Sequence, residues 1–155
     1  LTLGWCVGNG FTAVLRDQFI ALGEDPANFA AEFDRWKSSG ERGEYDRPLF
    51  GKDVAYSSPP VNGQPILLRH VHLVPLSDSA QLKVWHVKWR QRARKTSDRA
   101  LVYASDARHG HLLLFILVEP HAHAIAQMRT PEHRATMQGL AAVAGRFIHD
   151  GTIIA

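Results

Sequence analysis

Seven consecutive apolar residues at 112–118, Leu-Leu-Leu-Phe-Ile-Leu-Val, constrain this chain more than any other segment. The run is far short of the roughly 20 residues that cross a bilayer, and it has the length of a strand buried on both faces. Such a strand belongs in the middle of a sheet covered on each side by other elements. Residues 112–119 and 100–104 are therefore predicted as paired strands, joined by a turn-like segment at 105–111. Residues 66–74, with Pro65 and Pro75 at their ends, read as another strand, and residues 11–20 as a first one.

Two helices carry their own start and stop signals. Asp25-Pro26 supplies an N-cap followed by proline at the first helical position, Phe29, Phe33 and Trp36 recur at i, i+4 and i+7, and Ser38-Ser39-Gly40 ends the element. Thr130-Pro131-Glu132 opens the other, whose stripe of Met137, Leu140, Ala141, Ala144, Phe147 and Ile148 runs to Asp150-Gly151. Residues 85–89 fit a strand through Trp85, Val87 and Trp89 and a helical turn through Leu82, Trp85 and Trp89, and both remain open. Residues 40–64, rich in Gly, Pro, Ser and Asp, are expected to form a long surface connection. These elements give an α+β class with one domain over residues 11–155, the size at which roughly two thirds of the unfolded chain's surface is buried in one core. The apolar, Gly-rich residues 1–10 lack the basic start of a secretory signal and are expected to be a leader.

The single cysteine, Cys6, forms no internal disulfide and anchors no four-ligand zinc spacing, so a reducing, cytoplasmic setting is expected and no membrane association. No Gly-rich phosphate loop joins a strand to a helix, which disfavours nucleotide-binding α/β folds. The net charge of +3 says less than its distribution. Lys83, Lys88, Arg90, Arg92, Arg94, Lys95 and Arg99 fall in one stretch with Asp98 as its only acid, a place for a polyanion to dock.

Three constellations carry chemistry. On a strand His70 and His72 share a face, with rings roughly 6 to 7 Å apart, a spacing that suits two imidazoles around one phosphodiester. With Arg69 they supply a base, an acid and a cation, the three groups a ribonuclease needs; as ordinary half-buried strand residues they need no such role. His-Val-His-Leu-Val-Pro also resembles the histidine-triad hydrolases, but Val74 stands where the third histidine belongs. A metal site would need further ligands from Asp106, His109, His111, His121 or His123, which spacing does not assemble. The second constellation is the run of Arg90, Arg92, Arg94 and Lys95 beside Trp85 and Trp89, with Lys88 just upstream. Cations next to aromatic rings suit single-stranded RNA, whereas a solvated loop beside two core tryptophans is the plainer reading. The third is Glu119-Pro120-His121-Ala122-His123, at the end of the central strand, with Tyr103 on the strand beside it.

In this order and spacing, Phe50-Gly51-Lys52-Asp53, His70-Val71-His72-Leu73, Lys95-Thr96-Ser97-Asp98 with Leu101-Val102-Tyr103, and the 112–118 run followed by Pro120 to His123 resemble the YafO family of toxins, within the RelE-like ribonuclease group. The resemblance spans about Phe11 to Phe147. It implies a small, twisted, mainly antiparallel sheet packed by N-terminal and C-terminal helices, ribosome-dependent cleavage of translated mRNA, and neutralisation by a cognate antitoxin. Lys95 stands where the family tends to have arginine, which keeps the charge and loses the bidentate fork.

The expected chemistry is cofactor-free attack of the RNA 2′-hydroxyl on its own phosphate. His72 or His70 is expected as general base, Arg94 and Lys95 as phosphate clamps, Asp98 as their orienting partner, His123 as general acid and Tyr103 as a stacking ring. Arg69, Lys88, Arg90, Arg92, Trp85 and Trp89 are expected to hold RNA. A non-enzymatic ribosome-binding or RNA-binding inhibitor and a metal-dependent phosphodiesterase are the alternatives.

Overall fold

A computed structural model describes residues 10–60 and 68–154. Residues 1–9 of the leader expected at 1–10 and the start of the strand expected from residue 66 lie outside the described residues, whereas Gly10 is part of a strand. Five strands form one sheet in the order β1-β5-β4-β3-β2, with β1 Gly10–Phe11, β2 Phe50–Ala55, β3 Arg69–Leu73, β4 Ala100–Asp106 and β5 Gly110–Leu117. Every neighbouring pair is antiparallel except β1 with β5, so the sheet is open and mixed and the fold is α+β. The apolar run lies in β5, between β1 and β4.

Helices cover both faces. On one, α1 (Ala13–Ala21) and α2 (Pro26–Ser38) bring Leu15, Phe19, Phe33 and Trp36 against Phe50, Val71, Leu73, Leu101 and Tyr103. Trp36 stacks on Phe50 at 4.9 Å, and Phe33 meets Tyr103 edge-on at 5.1 Å, contacts that add about 1 kcal/mol each beyond burial. On the other face, α6 (Pro131–Asp150) lays Met137, Ala141, Ala144 and Phe147 over Val102, Ala104, Leu112 and Leu114.

Two expectations are corrected. Residues 11–20 form no long strand: Thr12 accepts the Leu15 amide at 3.2 Å and donates to the Leu114 carbonyl at 2.6 Å, so the chain turns into α1 after two residues. Leu15 and Phe19, four apart, then share the buried face, which is a helical and not an alternating spacing. Residues 40–60 are no plain connection either, since they contain a turn of 3-10 helix (Gly40–Arg42), α3 (Gly43–Asp46) and β2. Between Phe50 and Asp53 the register of β2 on β3 slips. Phe50 pairs with Leu73 and Asp53 with Val71, so two residues, Gly51 and Lys52, oppose His72. The open question at 85–89 resolves as helix α4 (Ser79–Arg90), capped by Asp78.

Candidate functional site

The alternation of β3 sends its polar residues to opposite faces. Arg69, Val71 and Leu73 look toward α1 and α2, whereas His70 and His72 look toward α6 and the short helix α5 (Ala122–Ala126). Three imidazoles meet on this second face. The His70 and His72 rings are 5.4 Å apart and the His72 and His123 rings 5.7 Å, while Tyr56 stacks on His70 at 4.1 Å. Tyr56, Ser97 and the three histidines line a pocket of about 30 Å³, large enough for a water-sized group only. A longer ligand must lie across its mouth, where the His123 side chain is 63% exposed.

Each ring is held differently. Asp98 Oδ1 accepts from the His123 backbone amide at 2.8 Å and lies 2.7 Å from its Nδ1, leaving Nε2 as the ring nitrogen outside that pair. His72 Nδ1 lies 2.7 Å from the Ser97 carbonyl and 3.0 Å from the Ser97 amide; the tautomer that donates Nδ1–H to the carbonyl carries its lone pair on Nε2, whereas the one that accepts the amide carries its proton there. Burial pulls His70 down to about 4, and the neighbouring His72 ring adds to the fall. Burial also lowers His72, against the opposing hydrogen bond to Ser97. Both rings are therefore neutral at pH 7. The Lys52 ammonium acts on both of them, as a cation beside the cluster. The slipped register explains its position: the residue between two that face α1 and α2 is turned toward the histidines.

The other expected residues go elsewhere. Arg94 pairs with Glu44 at 2.8 Å and lies over the Tyr45 ring at 5.7 Å. Lys95 is fully buried and donates to the Glu44 carbonyl at 2.7 Å; burial pushes its amine down to about 8. Neither is a clamp beside the histidines, and Asp98 orients His123 in place of these cations. Tyr103 is buried on the face of α2, its hydroxyl donating to Asp53 at 2.6 Å and accepting from Lys37 and Arg69, so it offers no ring for a base to stack on. Arg69 joins that cluster through Asp53 at 3.2 Å. Trp85 is core, with its indole donating to the Pro48 carbonyl at 2.8 Å, which withdraws it from any RNA surface. Trp89, Arg90 and Arg92 remain at the surface with Lys88 half-buried near them, and Asp46 pairs with Arg92 at 2.9 Å.

Sequence reasoning missed Lys52, Tyr56 and Ser97 as members of the site. Lys52 and Ser97 had a signal, since each lies in one of the family-like segments; Tyr56 had none, because a stacking ring leaves no pattern. Asp106 and His109 sit at the hairpin between β4 and β5, the opposite end of β5 from His123. Among the described residues no group of three or more His, Cys, Asp or Glu is arranged to hold a metal ion. Nor is any helix among them long and apolar enough to cross a membrane.

Beyond an open sheet packed on both faces, with an imidazole cluster on one of them, family comparison assigns the chain to a class, the toxins of type II toxin–antitoxin systems. The family is YafO: the model described as "Toxin YafO, type II toxin-antitoxin system" matches residues 34–149, and the chain belongs to it. A cognate antitoxin is therefore its partner. No curated protein and no solved structure matches the chain.

Proposed function

We propose that this toxin is a metal-independent endoribonuclease that cuts translated mRNA on the ribosome, in the cytoplasm, and so blocks translation. The observation that carries the reading is the convergence of His70 and His72 from the sheet with the Asp98-held His123 on one small pocket, with the charge of Lys52 felt by both sheet histidines. Nε2 of His72 takes the proton of the 2′-hydroxyl as its oxygen attacks the adjacent phosphorus. Lys52 balances the charge that builds on the phosphoryl oxygens. The bond from phosphorus to the 5′-oxygen breaks, and His123, protonated on Nε2 with Asp98 offsetting its charge, donates the proton to that oxygen. The products are a 2′,3′-cyclic phosphate and a 5′-hydroxyl. His70, neutral and backed by Tyr56, holds the dry wall against which His72 works.

Transcriptome-wide mapping of RNA 5′ ends after induction tests this. New 5′-hydroxyl ends within translated regions are expected for the parent, and their loss in His72→Ala and His123→Ala. Persistence of cleavage in both variants would sink the assignment. The exposed Trp89, Arg90 and Arg92 favour a second reading, a non-enzymatic RNA-binding inhibitor, which arrests growth without creating new ends.

A further inference from the structure

A cavity of about 500 Å³ lies on the face opposite the histidines, between the end of α2, α3 and the sheet. Its volume is in the range that admits small ligands. Trp36, Lys37, Tyr45, Asp53, Arg69 and Arg94 line it. The two acids are already occupied. Asp53 accepts Tyr103 on Oδ1 and Lys37 and Arg69 on Oδ2, while Glu44 accepts the Asp53 amide at 2.6 Å and Arg94 Nε at 2.8 Å. Three cations thus face two carboxylates, a surplus of one positive charge. Each guanidinium has five N–H donors: Arg94 meets Glu44 through Nε, and Arg69 meets Tyr103 through Nε and Asp53 through Nη2. Flat rings stand beside them, Tyr45 under Arg94 and Trp36 at 4.5 Å from the Lys37 ammonium.

We propose that this cleft is a second RNA subsite, which takes one ribonucleotide with its phosphate between Arg69 and Arg94 and its base against Tyr45. A forked guanidinium beside an aromatic face recognises phosphate and base together, a combination that a bare anion or a carboxylate side chain uses only in part. The proposal rests on the nuclease reading for the source of the nucleotide and on nothing in the histidine site for binding.

The test is an amide NMR titration of the intact chain with AMP, and with inorganic phosphate as comparator. AMP is expected to shift the amides of Gly40, Tyr45, Asp53 and Arg94, to leave those of residues 122–126 unmoved, and to bind at least tenfold tighter than phosphate. Arg94→Ala and Tyr45→Ala are each expected to weaken AMP at least tenfold, with Arg94→Lys intermediate because it keeps charge and loses the fork. Dispersion of the remaining amides verifies that each variant is folded. Absence of shifts at the cleft, equal binding of AMP and phosphate, or indifference to Arg94→Ala overturns the proposal. Displacement of the same signals by a Glu-rich peptide, with silence toward AMP, assigns the cleft to a protein partner and likewise overturns it. Failure of the nuclease reading shows as absent 5′ ends and leaves the titration unaffected.

Discussion

Asp98 acts on His123 through one oxygen that meets both the backbone amide and the ring. Asparagine in its place keeps an oxygen able to accept both bonds and removes the negative charge that offsets a protonated ring. Asp98→Asn is therefore expected to keep the fold and reduce ribosome-dependent cleavage by about tenfold to a hundredfold, the cost of losing a charged orienting partner. His123→Ala should abolish what remains, and the double variant should be no worse than His123→Ala alone, because Asp98 works only through that ring. Single-turnover cleavage of a ribosome-bound message measures all three, and full activity in Asp98→Asn would remove Asp98 from the mechanism. The residue types of this site were legible in the sequence; their pairing was not. A carboxylate inside a basic run reads as a partner for Arg94 and Lys95 until the fold turns those cations toward Glu44.

Legibility at the level of elements followed how local each signal is. The second and sixth helices carry caps, Asp25 and Thr130, within a few residues of their apolar stripes, and the fourth and fifth strands alternate or run apolar without interruption. The second strand hid because its slipped register breaks the period of two between Phe50 and Asp53. What holds that slip is a contact 43 positions away in sequence: the Lys52 amide donates to the Lys95 carbonyl at 2.8 Å, and a Cβ on Gly51 would come within 2.2 Å of the same oxygen. The segment from Arg94 to Asp98 therefore lies along the edge strand, with Arg94 in the cleft of one face and Ser97 and Asp98 on the histidines of the other. Gly51→Ala drives a carbon into backbone that cannot rotate aside and is expected to cost at least about 2 kcal/mol. Gly139 gives the contrast, since a Cβ there meets nothing within 4 Å on an exposed turn of helix. Gly139→Ala is expected to gain about 1 kcal/mol from helix propensity alone. Urea unfolding of both variants compares the two directly, and a Gly51→Ala protein as stable as its parent would disprove the close approach.

Across the whole molecule, the sheet buries imidazoles on both of its faces, and this couples its stability to mild acid. Burial is the leading cause that lowers His70, to about 4, and that lowers His72 on the same face and His111 on the other, where Lys37 adds to the effect. A histidine lowered on folding binds fewer protons in the native state than in the unfolded one, whose value stays near 6.5. The stability it contributes is complete above pH 6.5 and is lost as pH falls from there toward the folded value, which for His70 sets the window at 6.5 to about 4. For a fully enclosed ring that fall corresponds to roughly 3 kcal/mol, and to about 2 once solvent on the open side of the pocket screens it. Carboxylates held low by their partners, such as Asp106 and Glu119, lose their contribution only below the ordinary carboxylate range and leave the upper part of this window to the histidines. Urea midpoints are thus expected to be level from pH 8 to 6.5 and to decline steadily between 6.5 and 5. His70→Phe, which keeps a ring for Tyr56 to stack on and removes the titrating nitrogens, should flatten part of that decline; a midpoint unchanged from pH 7.5 to 5 in the parent protein would show that these rings are not held neutral by burial.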